Sequence, residues 1–271
     1  QDSGPEYLDI LFTKDSNSSR FAAHTGDESS RGTLFPAVSS GMVDNQLAAA
    51  SFSVAGDLDD DGDVDVVCLE RNQHTLHYLE NSGTGSFTRV TPNPFSLDGN
   101  GKYLDHAVIT DLDQDGDKDV VLSYFGDGAN GGARMSWLKN NGAGVFDPEQ
   151  EIFNRTPGAD VDIDYFAVGD LDGDSYPDLV VAYRGSDSVV WFKNDGTQNP
   201  SFTWKGQVMS SAEGLDAPRS LELVDIDNSG ALDVIISANQ NLYLAINDGT
   251  EAVFTTSALT SFTGAGIVAK A

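Results

Sequence analysis

Carboxylates recur at fixed spacing in four short segments of this chain. Asp57, Asp59 and Asp61 open the first, Asp111, Asp113 and Asp115 the second, Asp170, Asp172 and Asp174 the third, and Asp225, Asp227 and Ser229 the fourth. Each segment thus carries an oxygen-bearing side chain at its first, third and fifth positions, and a further aspartate at its ninth: Asp65, Asp119, Asp178 and Asp233. That grammar suits a hard divalent cation. Ca²⁺ takes six to eight oxygen ligands at roughly 2.3–2.6 Å, and alternate residues of a tight loop can point inward while the seventh position offers a backbone carbonyl. The carbonyl donors are then Asp63, Asp117, Tyr176 and Ala231. Glycine at the sixth position (Gly62, Gly116, Gly230) permits the sharp turn, whereas the third segment carries Ser175 there and has its glycine at Gly173. The competing reading is an acidic solvated turn, because Asp and Gly are ordinary turn residues. Four segments sharing one positional grammar favour metal, and four Ca²⁺ ions are expected.

The elements that must position these donors follow from their flanks. An EF-hand begins the same way but needs flanking helices and a glutamate at the twelfth position. Here that position holds Cys68, Leu122, Val181 or Ile236, inside β-branched runs of strand length. The donors therefore sit on loops between strands. The first aspartates, at 57, 111, 170 and 225, are spaced by 54, 59 and 55 residues, a period that signals stacked or radially arranged units. A second marker recurs in phase: an apolar run ending in Asn81-Ser-Gly83, Asn140-Asn-Gly142, Asn194-Asp-Gly196 or Asn247-Asp-Gly249, then a run at Phe87, Phe146, Phe202 or Phe254. This reads as a strand, an Asn/Gly turn and another strand. Each unit then holds four strands, one before the acidic loop, one after it, and a hairpin. Four-stranded units repeated radially describe an all-β propeller.

The acidic loops and the aromatic-x-Lys/Glu-Asn-x-Gly hairpins, together covering residues 48–260, resemble the FG-GAP/VCBS repeat family, the integrin-α-like calcium propellers also found in fungal lectins and in accessory regions of secreted polysaccharide-active proteins. The resemblance implies calcium held in blade loops for rigidity and ligand or partner binding on loop faces; it implies no particular ligand. Members of the family usually carry seven blades, and 271 residues are too few for that.

The two ends suggest how many blades there are. Tyr7-Leu-Asp-Ile-Leu-Phe12 reads like a strand following a metal loop, and Arg20–His24 with Thr33–Val38 like a hairpin, so this unit lacks a first strand. The chain ends with a spare one, Gly266–Ala271, and the C-terminus followed by the N-terminus aligns with the fourth loop. A five-bladed propeller is expected, a single domain over 1–271 with blades at about 1–47 plus 264–271, 48–103, 104–161, 162–217 and 218–263. In the junction loop Lys270 and Gln1 replace the first and third donors. The Lys270 ammonium either fills part of the space of a fifth cation or stands in solvent. The last strand can also dock into a neighbouring molecule, giving head-to-tail contacts and filaments; docking within one chain has the advantage in effective concentration.

Composition points to a secreted scaffold. The formal charge of −28 would still be −20 with four bound Ca²⁺, which makes nucleic acid and anionic membrane poor partners. No apolar stretch approaches the roughly 20 residues of a membrane helix. A start at Gln1 suggests a processed chain or a fragment. One cysteine, Cys68, forbids an internal disulfide and reads as a small buried apolar residue, so calcium is the expected cross-link. The sequons at Asn17 and Asn154 lie in polar stretches and can bear glycans, with chance occurrence as the alternative.

Other chemistry is sparse. His24, His74, His77 and His106 show no paired ligand spacing, and no nucleophile elbow is present. A general acid needs a carboxyl with a raised pKa, whereas a calcium ligand must stay ionised, so the abundant aspartates do not mark a glycosidase pair. Trp137 and Trp191 occupy equivalent hairpin positions and are expected to pack between blades. Trp204 breaks the pattern and is the better candidate for sugar stacking or a partner surface, with a core role as the default. The leading expectation is a non-enzymatic extracellular binding or adhesion module for a glycan or protein. A filament subunit joined through terminal strands comes second, and an accessory domain of a polysaccharide-active enzyme third.

Overall fold

The computed structural model describes residues 7–15, 18–26, 50–70, 75–83, 87–97, 103–125, 134–154, 163–239, 241–249 and 254–261. Their regular structure is β-strand, apart from one 3₁₀ turn at Ser211–Glu213. The strands are β1 (Tyr7–Asp15), β2 (Ser18–Gly26), β3 (Ala50–Gly56), β4 (Asp65–Glu70), β5 (Thr75–Asn81), β6 (Phe87–Arg89), β7 (Tyr103–Thr110), β8 (Asp119–Phe125) and β9 (Arg134–Leu138). They continue with β10 (Gln150–Asn154), β11 (Ile163–Gly169), β12 (Asp178–Tyr183), β13 (Ser188–Asn194), β14 (Phe202–Ser210), β15 (Ser220–Val224), β16 (Asp233–Ser237), β17 (Asn241–Asn247) and β18 (Phe254–Ser261).

Four sheets of four antiparallel strands result, each in simple up-and-down order: β3 to β6, β7 to β10, β11 to β14 and β15 to β18. β1 and β2 form a separate antiparallel pair, Tyr7 opposite Gly26. The first strands of successive sheets lie side by side, β3 against β7, β7 against β11 and β11 against β15. This is a propeller-like architecture. Asn17, the Thr33–Val38 run, His74 and the junction of the termini with Lys270 lie outside the described residues.

The register explains the acidic loops. Gly56 pairs with Asp65, Thr110 with Asp119, Gly169 with Asp178 and Val224 with Asp233, so each loop closes the first two strands of its sheet at the same point. The second strands β4 and β12 are buried along their whole length. A strand covered on both faces has no polar side to show, hence its continuous β-branched run. The core lies between sheets. Leu58, Val67, Tyr78, Leu104 and Leu122 join the first two; Leu112, Trp137, Phe166 and Val181 the second and third; Leu171, Trp191, Leu221 and Ile236 the third and fourth. Trp137 and Trp191 thus pack between sheets, and Cys68 is buried. Trp204 departs from its default core role: on the outermost strand β14 it is 56 % exposed.

Candidate metal centres

Each loop has a base and a tip. At the base sits the ninth-position aspartate, fully buried in all four cases. One oxygen accepts the backbone N–H of the second loop residue: Leu58 to Asp65 at 3.0 Å, Leu112 to Asp119 at 2.9 Å, Leu171 to Asp178 at 3.1 Å and Ile226 to Asp233 at 2.8 Å. The other oxygen accepts the N–H of the hairpin asparagine, Asn81, Asn140, Asn194 or Asn247, at 2.8–2.9 Å. The carboxylate therefore ties the loop to the third strand of its own sheet. In the first sheet the Tyr78 hydroxyl also donates to Asp65, at 2.8 Å.

The same asparagines reach across to the preceding sheet. Asn140 donates to the Leu58 carbonyl at 2.7 Å, Asn194 to Leu112 at 3.1 Å and Asn247 to Leu171 at 2.7 Å. Each also donates to its own loop, at Lys118, Pro177 or Leu232. Four loops are thus linked in series through buried amide bonds. Neighbouring loops also touch directly: Gln114 donates to the Ser175 carbonyl, and the Asp60 carboxyl reaches Asp117.

At the tips, the carboxylates converge. Ligand oxygens of Asp57, Asp59 and Asp61, of Asp111, Asp113 and Asp115, of Asp170, Asp172 and Asp178, and of Asp225, Asp227 and Asp233 lie within 4.8 Å of one another in each group. The loop shape is built by backbone bonds to these side chains. The sixth-position N–H of Gly62, Gly116, Ser175 or Gly230 donates to the first aspartate at 2.8–3.2 Å. The seventh-position N–H of Asp63, Asp117, Tyr176 or Ala231 donates to the fifth side chain, Asp61, Asp115, Asp174 or Ser229, at 2.9–3.3 Å. The third loop does not escape the strain by moving its glycine. Fourth and sixth positions have positive φ in every loop, so Gly173 serves the fourth while Ser175 holds φ +78° at the sixth.

The donor set fits a hard cation. It is all oxygen, and Asp57 Oδ1, Asp111 Oδ1, Asp113 Oδ1 and Asp172 Oδ1 are buried without a hydrogen-bond donor. Such atoms are costly unless a partner arrives. Burial, with the charges of Asp65 and Asp61, pushes the Asp59 carboxyl up to about 6. Burial pushes Asp119 and Asp178 up to about 7 against the backbone bonds that pull them down. Crowded carboxylates held this way favour a divalent ion that restores their charge balance.

Two side chains missed in the sequence enter the tips. The Lys139 ammonium bonds Asp113 and, at 2.6 Å, Asp115; the Lys193 ammonium bonds Asp172 and, at 2.7 Å, Asp174. Burial pulls Lys139 down, but its bonds to the two aspartates outweigh this and leave it above the ordinary lysine value. Both lysines directly precede the hairpin asparagine, a signal visible in the repeat phase. Beside the third loop, Asp172, Asp174, Trp191, Lys193 and Lys205 line an open cleft of about 290 Å³. Of the histidines, His77 pairs with Glu70 at 3.2 Å. His106 packs among the rings of Phe52, Tyr165 and Phe166, tilted to the first two and edge-on to the third. His24 lies on β2, and Asn154 of the second sequon ends β10.

No curated protein matches the chain. Among solved structures it is similar to a lectin of Agrocybe aegerita described as specifically recognising non-reducing terminal N-acetylglucosamine. The two share 18 % identity and a TM-score of 0.60 over 97 % of this chain and 68 % of that one, which establishes a shared fold. A model of the FG-GAP-like repeat matches three times, over residues 57–122, 111–181 and 170–236, each match running from one acidic loop through the next. With that repeat spanning most of its length and the loop geometry repeated in each of the four-stranded sheets, the chain belongs to the FG-GAP-like repeat family.

Proposed function

We propose that this chain is a secreted, calcium-stabilised five-bladed propeller that serves as a non-enzymatic binding or adhesion module for a glycan or an extracellular protein. The observation that carries the reading is the fourfold recurrence of converging carboxylates, several with buried oxygens that lack a donor. Four Ca²⁺ ions, each held by the first, third, fifth and ninth side chains, would rigidify the rim on which a ligand binds. Glycan binding is supported by the fold shared with the Agrocybe aegerita lectin. The exposed Trp204 and the cleft beside the third loop offer the aromatic and polar surfaces such a ligand needs.

Ile226 supports closure by a further sheet. Leu58, Leu112 and Leu171 at the same loop position are buried, whereas Ile226 in the fourth loop is 42 % exposed. In this reading the chain's own termini supply the covering blade. A terminal strand from a neighbouring molecule would fill the same place and give a filament, which is the second reading.

Glycan-array binding in calcium and in EDTA tests the first reading, with chelator-sensitive binding expected. A chain that stays metal-free in native mass spectrometry and is equally heat-resistant without calcium would overturn it, as would turnover of a polysaccharide by pure protein. Electron microscopy separates discrete particles from fibres.

A further inference from the structure

The residue before the hairpin asparagine changes charge from sheet to sheet. It is Glu80 beside the first loop, Lys139 beside the second, Lys193 beside the third and Ile246 beside the fourth. Both lysines bond the third and fifth donors of their loop, Asp113 with Asp115 and Asp172 with Asp174. The ammonium leaves part of the demand unmet, since Asp113 Oδ1 and Asp172 Oδ1 are buried without a donor. Asp113 itself is 4 % exposed. The first loop is arranged in the opposite sense. Glu80 adds its negative charge to the field at Asp59, and among the described residues no lysine or arginine bonds Asp57, Asp59 or Asp61.

We propose that Lys139 and Lys193 are built-in counter-ions that hold the second and third loops in shape without metal and that a divalent ion must displace, so these loops bind calcium more weakly than the first. The inference rests on reading the loops as calcium sites. An ammonium seated on Asp113 and Asp115, or on Asp172 and Asp174, repels a divalent ion at contact distance and claims carboxylate charge that the ion needs, so the two compete for one nest. Lysine suits the exchange: its point charge sits on a flexible four-carbon stem that can swing to solvent and rehydrate. The two lysines are affinity-setting residues, and the rim becomes a graded calcium responder, its first loop filled at low calcium and its middle loops only at higher levels.

The test is calcium titration against a competing chelator, with ions counted by native mass spectrometry, on wild type and on the Lys139→Met/Lys193→Met double variant. Two ions are expected to bind about tenfold more tightly in the variant, the size of one removed nearby charge near a protein surface. In EDTA the same variant is expected to melt below wild type, because the counter-ions are gone. An ordinary surface salt bridge would lower melting equally with and without calcium. Glu80→Lys, on an exposed side chain, provides the reverse change and is expected to move one ion from the tight class to the weak one. Calcium binding that ignores all three substitutions overturns this inference alone; a wild-type chain that takes up no calcium overturns the functional reading beneath it.

Discussion

The base and the tip of each loop use the same residue type for opposite purposes. At the base, Asp65, Asp119, Asp178 and Asp233 are buried, and both oxygens of each are occupied by backbone N–H donors, one from the loop itself and one from the hairpin asparagine. At the tip, Asp57, Asp111 and Asp172 each keep a buried oxygen with no donor at all. The base is therefore held in place without metal and can still lend a lone pair to one, since Asp178 and Asp233 converge with their tip carboxylates, whereas the tip is a set of ligands whose energetic balance needs a cation. Aspartate does both because a carboxylate offers about four lone-pair sites, enough to accept backbone bonds and still bind a cation.

Removing the base carboxylate gives the sharpest separation. Asp119→Ala strands the buried Leu112 and Asn140 N–H groups and is expected to cost about 3–5 kcal/mol by denaturant unfolding, in EDTA as well as in calcium. A loss seen only in calcium would mean that base and tip are one device. Asp57→Asn at the tip keeps an oxygen for Gly62 but removes a charged ligand. It is expected to leave stability in EDTA unchanged and to remove about 2.7 kcal/mol of stabilisation at calcium one-hundredfold above the dissociation constant. Next comes the asparagine link: Asn194→Ala unpairs the Leu112 and Pro177 carbonyls and is expected to cost about 2 kcal/mol irrespective of calcium.

A group outside both regions calibrates the pH response. Burial among aromatic rings pulls His106 down to about 3. The unfolded chain binds a proton near pH 6.5 that the folded one refuses, so stability is complete above that pH and falls as the solution is acidified towards 3. The expected slope is about 1.4 kcal/mol per pH unit. His106→Phe should abolish that component in a comparison at saturating calcium; an unchanged slope would assign the acid response to the carboxylates. The smallest effect concerns the strained third loop. Ser175→Gly relieves φ +78° in open solvent and is expected to stabilise by about 0.5–1 kcal/mol.

Much of the molecule is written locally. Oxygen side chains at alternate positions, a β-branched run after each loop and the Asn-x-Gly turn in phase suffice to place loop, strand and hairpin, and the register pairing Thr110 with Asp119 follows from the loop length. Lys139 and Lys193 were in view as part of the hairpin marker, but nothing along the chain says that an ammonium will lie across two carboxylates about twenty or more residues earlier. The Asn140 to Leu58 bond joins residues 82 apart and belongs to the packing of one sheet on the next. Trp204 illustrates the converse, since an aromatic in a strand reads as core until the outermost position of β14 is known.

By itself, then, the sequence determined the repeat, the strand-loop-strand unit and the oxygen chemistry of the loops, because spacing of 2 along a strand and alternate donors in a tight loop are properties of neighbouring residues. Only the tertiary structure decided which aspartates are buried struts and which are free ligands, and which tips already hold a cation of their own. Burial and charge pairing depend on what the adjacent strand and the adjacent sheet bring within a few ångströms, and those partners lie tens of residues away along the chain.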